Sequence, residues 1–323
     1  MVPLRIVSAA KRSKPRLFVA RRLSIDPRAV IGEEVDLDVW DDELPPPRPE
    51  LLARVARADG ALTLVTDTVD AEMLAAAPAL RVVANHAVGV DNVDVPACTA
   101  RGVWVTNTPG AVTESTADLT WALILAVARR VHQGERLIRE GRFRAWAPTM
   151  LLGLELRGAT LGIVGLGRIG QAVARRADGF GMQVLHTSSR GGVPLDDLLE
   201  PSDVVTLHCP LNVETRHLMN AQRLARMKRG AILINTSRGP VVDEAALVAA
   251  LESGRLGGAG LDVFENEPTV HPGLLGRDDV VLLPHLGSAT HATRALMATM
   301  ALTDAVRVLR GERPLHPVNE VRR

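Results

Sequence analysis

Aromatic side chains are scarce: four Trp, four Phe and no Tyr among 323 residues. Stacking platforms for nucleic-acid bases are therefore not expected. Cysteine is rarer still. Cys98 and Cys209 stand far apart and outside any CxxC, which excludes a disulfide framework and a cysteine-rich zinc site and fits a reduced, cytoplasmic setting. Long apolar runs are missing, and the stretch around Trp121–Ala128 is too short to span a bilayer. The start, MVPLRIVSAAKRSKPR, is basic but lacks a long apolar core, so no signal peptide is expected and residues 1–14 read as a loose extension. Charge of one sign is absent too: 38 basic against 37 acidic residues, net +1. Neither nucleic acid nor a membrane surface is indicated as a partner.

Hydrophobic residues make up 46% and charged residues 23%, the profile of a soluble globular protein, and the length suits two domains. Short β-branched runs alternate with helix-length amphipathic segments. Strands are expected at Leu17–Ala20, Val35–Val39, Ala61–Val65, Arg81–Ala84, Val103–Thr106, Thr160–Val164, Gln183–His186, Asp203–Leu207, Ala231–Asn235, Gly258–Val263 and Val280–Leu283. Helical patterns such as Leu51–Ala58 and Asp243–Ser253 lie between them. The alternation predicts α/β architecture, with parallel sheets and crossover helices. A complete dinucleotide-binding unit spans 106–285, which leaves 15–105 and 286–323 as the two parts of one discontinuous substrate domain. A helix from Glu114 to Val131 is expected to bridge the halves, and another runs over Thr290–Arg310.

The strongest local signal is Thr160-Leu-Gly-Ile-Val-Gly165-Leu166-Gly167-Arg168-Ile169-Gly170, an apolar strand that runs into GxGxxG and then a helix. The first glycine permits the tight turn, the second lets a pyrophosphate approach, and the third lets helix and strand pack closely. Free N–H groups at the helix start favour phosphate. The following strand ends His186-Thr187-Ser188-Ser189-Arg190. An acidic residue there would hold the ribose hydroxyls of NADH. None is present, and Ser188, Ser189 and Arg190 suit a 2′-phosphate, so NADPH is expected in preference to NADH.

Nine histidines compete for a proton-donor role. His285, in Leu283-Pro-His-Leu-Gly-Ser-Ala-Thr290, follows the last strand of the cofactor unit, at the edge where such sheets bind ligands. Arg238 and Glu267 follow two other strands. Each alone is more often structural or solvated. Together they suit reduction of a 2-oxo acid. Arg238 engages the carboxylate and polarises the carbonyl. His285 protonates the alkoxide left when hydride reaches C2. Glu267 orients the ring and favours its charged form.

Several separated motifs resemble the D-isomer-specific 2-hydroxyacid dehydrogenases over nearly the whole chain. They are Ala87-Val-Gly-Val-Asp-Asn-Val-Asp94, Asn107-Thr-Pro-Gly-Ala-Val-Thr-Glu-Ser-Thr-Ala-Asp118, the glycine loop, His208-Cys-Pro-Leu211, Asn235-Thr-Ser-Arg-Gly239 and Pro284-His-Leu-Gly-Ser-Ala-Thr290. The resemblance implies two Rossmann-like domains with the active site in the cleft between them, a homodimer, and Arg238, Glu267 and His285 as catalytic residues. It further implies that the N–H groups of Val88 and Gly89 bind the substrate carboxylate and that Thr113 lies near the nicotinamide. Cys209, Pro210 and Thr215 would border the adenosine, and Thr236 and Asp262 would face the nicotinamide. Ser237, His285 and Gly287 are counted with the cofactor contacts, and no metal is implied.

Within the family the chain most resembles the glyoxylate/hydroxypyruvate reductases, and Gly141-Arg-Phe-Arg-Ala-Trp-Ala-Pro148 resembles the segment in which their Trp reaches the other subunit's substrate pocket. Trp146 carries that role or packs in a dimer interface. A 2-ketogluconate reductase stays open as an alternative. A long-type phosphoglycerate dehydrogenase is disfavoured, since no room for a regulatory domain is seen. A dinucleotide-sensing corepressor-like protein is the alternative from another class. The basic residue that the family often carries near Thr68 is missing, so no substrate contact is assigned to that loop.

Overall fold

β-branched and aliphatic side chains favour the pleated, buried surface of a parallel sheet, and here they produce two such sheets. The computed structural model describes residues 14–321, so the extension read at residues 1–14 lies outside them apart from Lys14. The chain divides into two compact units: one runs to Pro109 and resumes at Arg294, and the other is Gly110–Thr293. Both breaks fall slightly after the positions 106 and 286 read from the sequence.

The first unit alternates β1 (Arg16–Val19), α1 (Arg28–Ile31), β2 (Asp36–Val39), α2 (Arg48–Val55), β3 (Gly60–Thr63), α3 (Ala71–Ala76), β4 (Val82–Asn85), α4 (Val95–Ala100) and β5 (Trp104–Thr106). Its sheet has the order β2-β1-β3-β4-β5, all parallel. Asp70 and Asp94 cap α3 and α4 by accepting the N–H groups of Met73 and Ala97, which is worth about 1 kcal/mol per helix. The loop lacking a basic residue near Thr68 has one beneath it. Buried Arg21 donates to Thr66 Oγ1 at 3.0 Å and to Asp67 Oδ1 at 3.3 Å.

The second unit contains α5 (Thr113–Ala128), α6 (Val131–Arg139), β6 (Thr160–Val164), α7 (Arg168–Ala177), β7 (Gln183–Ser188), β8 (Gly191–Gly192), α8 (Leu195–Leu199), β9 (Val204–Leu207), α9 (Ala221–Arg226), β10 (Ile232–Asn235), α10 (Glu244–Glu252), β11 (Gly258–Leu261) and β12 (Val280–Leu282). Strand order is β12-β11-β10-β9-β6-β7-β8. All pairs are parallel except β7–β8. From β6 the chain turns to β7 on one side and later to β9 on the other, so the order reverses at β6, where such sheets bind ligands. The last helix, α11 (His291–Leu309), seats Ala301, Leu302 and Ala305 against Leu17, Leu62 and Val82 of the first unit's core.

The α/β class and all eleven expected strands are present. Two details differ. The helix expected from Glu114 to Val131 is broken into α5 and α6 at Arg129–Arg130, and Arg130 is left-handed, φ 51°. The cause is tertiary: Leu154 N–H donates to the carbonyl of Ala128 at 2.8 Å, and Gly153 passes close enough that a Cβ there would lie 2.1 Å from that same oxygen. Helix α5 packs on β10, β11, β12 and α7 and belongs to the second unit. Strand β8, two glycines with no side chains to alternate, carries no periodicity to read. No described helix is long and apolar enough to cross a membrane.

Candidate active site

The three glycines after β6 serve different ends. A Cβ on Gly165, φ 96°, would lie 2.7 Å from the backbone of His208 and Cys209. One on Gly170 would lie 2.1 Å from the Gly165 carbonyl oxygen. Both are glycine because the protein's own backbone crowds them. Gly167 is different: a Cβ there would meet no protein atom within 4 Å. Packing does not require glycine at that position, whereas close approach of a phosphate to the backbone does. Gly167 also caps α7 with no side-chain partner for the first N–H groups, the arrangement that favours a bound anion. The loop therefore fits a dinucleotide pyrophosphate, with Leu166, Arg168 and Ile169 placed around the turn.

At the end of β7 a tight hairpin returns through β8. Ser188 Oγ donates to Gly191 O at 3.0 Å and accepts the Arg190 N–H at 3.2 Å. Ser188 thus shapes the turn, while Ser189 and Arg190 are exposed on it. Across the switch point, burial lowers His208 to about 3 and raises the Cys209 thiol to about 11. Both are uncharged near neutral pH, and Cys209 is no thiolate nucleophile. Thr215 Oγ1 donates to Pro210 O at 2.6 Å and organises that turn.

Arg238, Glu267 and His285 follow β10, β11 and β12, three adjacent strands, at their carboxyl ends. His285 Nδ1 lies 3.0 Å from Glu267 Oε2. An ionised carboxylate only accepts, so Nδ1 carries a proton and Nε2 is the nitrogen left for exchange. Glu267 Oε1 accepts the Phe264 N–H at 3.0 Å. Burial alone would raise this carboxyl. The hydrogen bond and charge of His285, the Phe264 N–H and the charge of Arg238 outweigh it and hold Glu267 below its ordinary value, so it is ionised at neutral pH.

His285 sits in the left-handed region at φ 56°, where non-glycine residues are uncommon. Asp262 holds it there. Its carbonyl accepts the His285 N–H at 2.8 Å, and its carboxylate takes the N–H groups of Leu286 at 2.6 Å and Gly287 at 2.8 Å. Asp262 is 1% exposed; burial raises its carboxyl against those two N–H groups. Gly287 O in turn accepts Thr116 Oγ1 at 3.1 Å.

The Arg238 turn is built by Asn235, 1% exposed, whose Nδ2 donates to Arg238 O at 2.9 Å and whose Oδ1 accepts from Ser237 N and Oγ. Arg238 Nη1 donates to Ser237 O at 2.9 Å. Thr236 Oγ1 meets Thr120 Oγ1 at 2.9 Å. A Cβ on Gly239 would lie 1.8 Å from the Phe264 carbonyl, so the Arg238 turn and the turn leading to Glu267 touch backbone to backbone. Gly239→Ala is expected to cost about 1–3 kcal/mol of stability by overpacking. It should also lower turnover while dinucleotide affinity holds, as checked by thermal melts and steady-state kinetics.

Sequence reasoning missed the network behind this turn. Glu265 Oε1 meets His217 Nε2 at 2.6 Å, and Glu244 Oε1 accepts the Glu265 N–H at 2.7 Å. Only the Asp243–Glu244 start of α10, a helix-start pattern, hinted at it. Thr113 opens α5, and Trp146 is 76% exposed. Val88 and Gly89 lie in the loop after β4, in the first unit.

A glycine loop of this build serves a nicotinamide dinucleotide, and an imidazole with a carboxylate behind it on the neighbouring strand ends makes the protein an oxidoreductase. The profile described as D-isomer specific 2-hydroxyacid dehydrogenase, NAD binding domain, matches residues 121–287. The chain belongs to the D-isomer specific 2-hydroxyacid dehydrogenases, as its separated motifs lead one to expect. A protein named glyoxylate reductase from Korarchaeum cryptofilum is 50% identical over 321 residues, 95% of this chain and 96% of its own. Among solved structures, the TT0316 protein from Thermus thermophilus is 48% identical with a TM-score of 0.89, over 94% of this chain and 100% of its own. The NADPH-dependent glyoxylate/hydroxypyruvate reductase from Sinorhizobium meliloti, in complex with NADP and malonate, is 35% identical with a TM-score of 0.84, over 96% and 99%.

Proposed function

We propose that this dehydrogenase reduces glyoxylate to glycolate, or hydroxypyruvate to D-glycerate, with NADPH in preference to NADH. The observation that carries the reading is the His285–Glu267 pair, 3.0 Å apart, beside Arg238 on adjoining strand ends. When bound, the nicotinamide cofactor supplies a hydride to C2 of the oxo acid. Arg238 holds the substrate carboxylate and draws charge toward the carbonyl oxygen. As that oxygen becomes an alkoxide, His285 Nε2 gives it a proton, leaving a neutral imidazole and a hydroxyl. Glu267, held ionised, keeps the ring oriented and stabilises the imidazolium from which the proton comes. The backbone N–H groups of Val88 and Gly89 are assigned to a substrate carboxylate on the family pattern.

Cofactor preference rests on the hairpin after β7, which presents Ser189 and Arg190 and no carboxylate. The NADP complex of the Sinorhizobium meliloti relative supports it. Thr113, Cys209, Pro210, Thr215, Thr236, Ser237, Asp262 and Gly287 are assigned to the cofactor's surroundings on the family pattern. Exposed Trp146, with exposed Phe143 and Leu152 nearby, suits a homodimer contact.

Steady-state KM values for glyoxylate, hydroxypyruvate and 2-ketogluconate with both cofactors test the reading. The lowest NADPH KM and the highest kcat/KM are expected with the first two acids. Arg190→Ala should raise the NADPH KM about tenfold, the scale of one charge-assisted hydrogen bond, and leave the NADH KM alone. A wild-type preference for NADH would contradict the cofactor assignment.

A further inference from the structure

Three successive carbonyls in the loop after β4 are each held by the body of the first unit. Ala87 O accepts the Thr108 N–H at 2.8 Å. Val88 O accepts Asn107 Nδ2 at 2.7 Å, and Gly89 O accepts Asn85 Nδ2 at 3.0 Å. Among the described residues the only cis peptide is Glu267–Pro268, so these three peptides are trans. In a trans peptide the carbonyl points opposite the N–H of the next residue. The N–H groups of Val88, Gly89 and Val90 therefore all turn away from the groups that hold the carbonyls. Within the described residues none of the three donates to a protein acceptor. Consecutive N–H groups presented this way make a concavity for an anion.

The two amides that impose this are themselves fixed. Asn85 is fully buried; its Oδ1 accepts Thr63 Oγ1 at 3.2 Å, and its Nδ2 reaches Asn92 Oδ1 at 3.1 Å. Asn107 follows β5, and its N–H reaches His316 O at 3.4 Å, where the His316 ring is bonded to buried Asp304 at 2.8 Å.

We infer that Asn107 is a positioning residue for the substrate carboxylate: by holding the Val88 carbonyl it aims the Gly89 N–H, while Asn85 aims the Val90 N–H as a third donor. The inference rests on the proposed reading that this loop takes the carboxylate of a 2-oxo acid.

Asn107→Asp keeps the side-chain shape and removes the donor, while Asn107→Gln keeps a donor amide. In the full-length Asp variant the glyoxylate KM and the inhibition constant of oxalate should both rise about tenfold, the worth of one hydrogen bond. The NADPH KM should not move, and the Gln variant should recover part of the loss. If the Asp variant does not fold, Asn107→Ala carries the same comparison. Unchanged glyoxylate KM and oxalate inhibition in a folded variant would overturn the inference, as would a loss of NADPH affinity in equal measure. Failure of the underlying reading is seen separately, as a wild-type protein that reduces no 2-oxo acid and binds no oxalate.

Discussion

Replacing His285 with glutamine should lower kcat by about 10²–10⁴-fold, the usual contribution of a positioned general acid, while NADPH still binds. Glutamine retains an amide that can meet the Glu267 carboxylate but has no proton to give at neutral pH. The backbone at this position is left-handed, φ 56°, so a second variant, His285→Asn, guards against a folding cause, because asparagine adopts that conformation more readily. Both variants should melt near the wild-type temperature and show equal losses in kcat. Near-full activity in either would show that the proton comes from elsewhere.

Arg238→Ala should act on a different quantity. The guanidinium is assigned to bind the carboxylate in the ground state and to stabilise charge on the carbonyl oxygen in the transition state. Its removal should therefore raise the oxo-acid KM and lower kcat together, reducing kcat/KM by about 10²–10³-fold. Arg238 also helps hold Glu267 below its ordinary pKa, so in the variant that carboxyl loses one of the charges that favour its ionised form. Arg238→Lys keeps the charge and loses the planar fork, so it should fall between the two. An effect confined to NADPH affinity would place Arg238 with the cofactor instead.

What the sequence shows of this protein depends on whether the cause is local. The glycine loop is legible because each glycine answers a constraint within one strand–turn–helix unit. The strands are legible because buried parallel strands are continuous apolar runs. The break between α5 and α6 is not, since it is imposed by Gly153 and Leu154 crossing the end of α5. His285, Glu267 and Arg238 are legible as strand-end residues, and the 3.0 Å hydrogen bond between His285 and Glu267 follows from the adjacency of β11 and β12. Asp262 is different. The family resemblance sets it beside the nicotinamide, yet both its oxygens hold the turn after His285. Nothing in sequence spacing links Asn107 to Val88, or His217 to Glu265; those contacts exist only once the sheets are assembled. The supporting groups are thus the less readable half of the site, because each acts on a backbone segment distant in sequence.

The most direct test follows the cofactor absorbance when purified protein is mixed with NADPH and glyoxylate and the glycolate formed is assayed. Saturable loss of NADPH, matched mole for mole by glycolate, is the expected result. Binding of NADPH with no turnover of glyoxylate, hydroxypyruvate or 2-ketogluconate would contradict the account and point to a dinucleotide sensor.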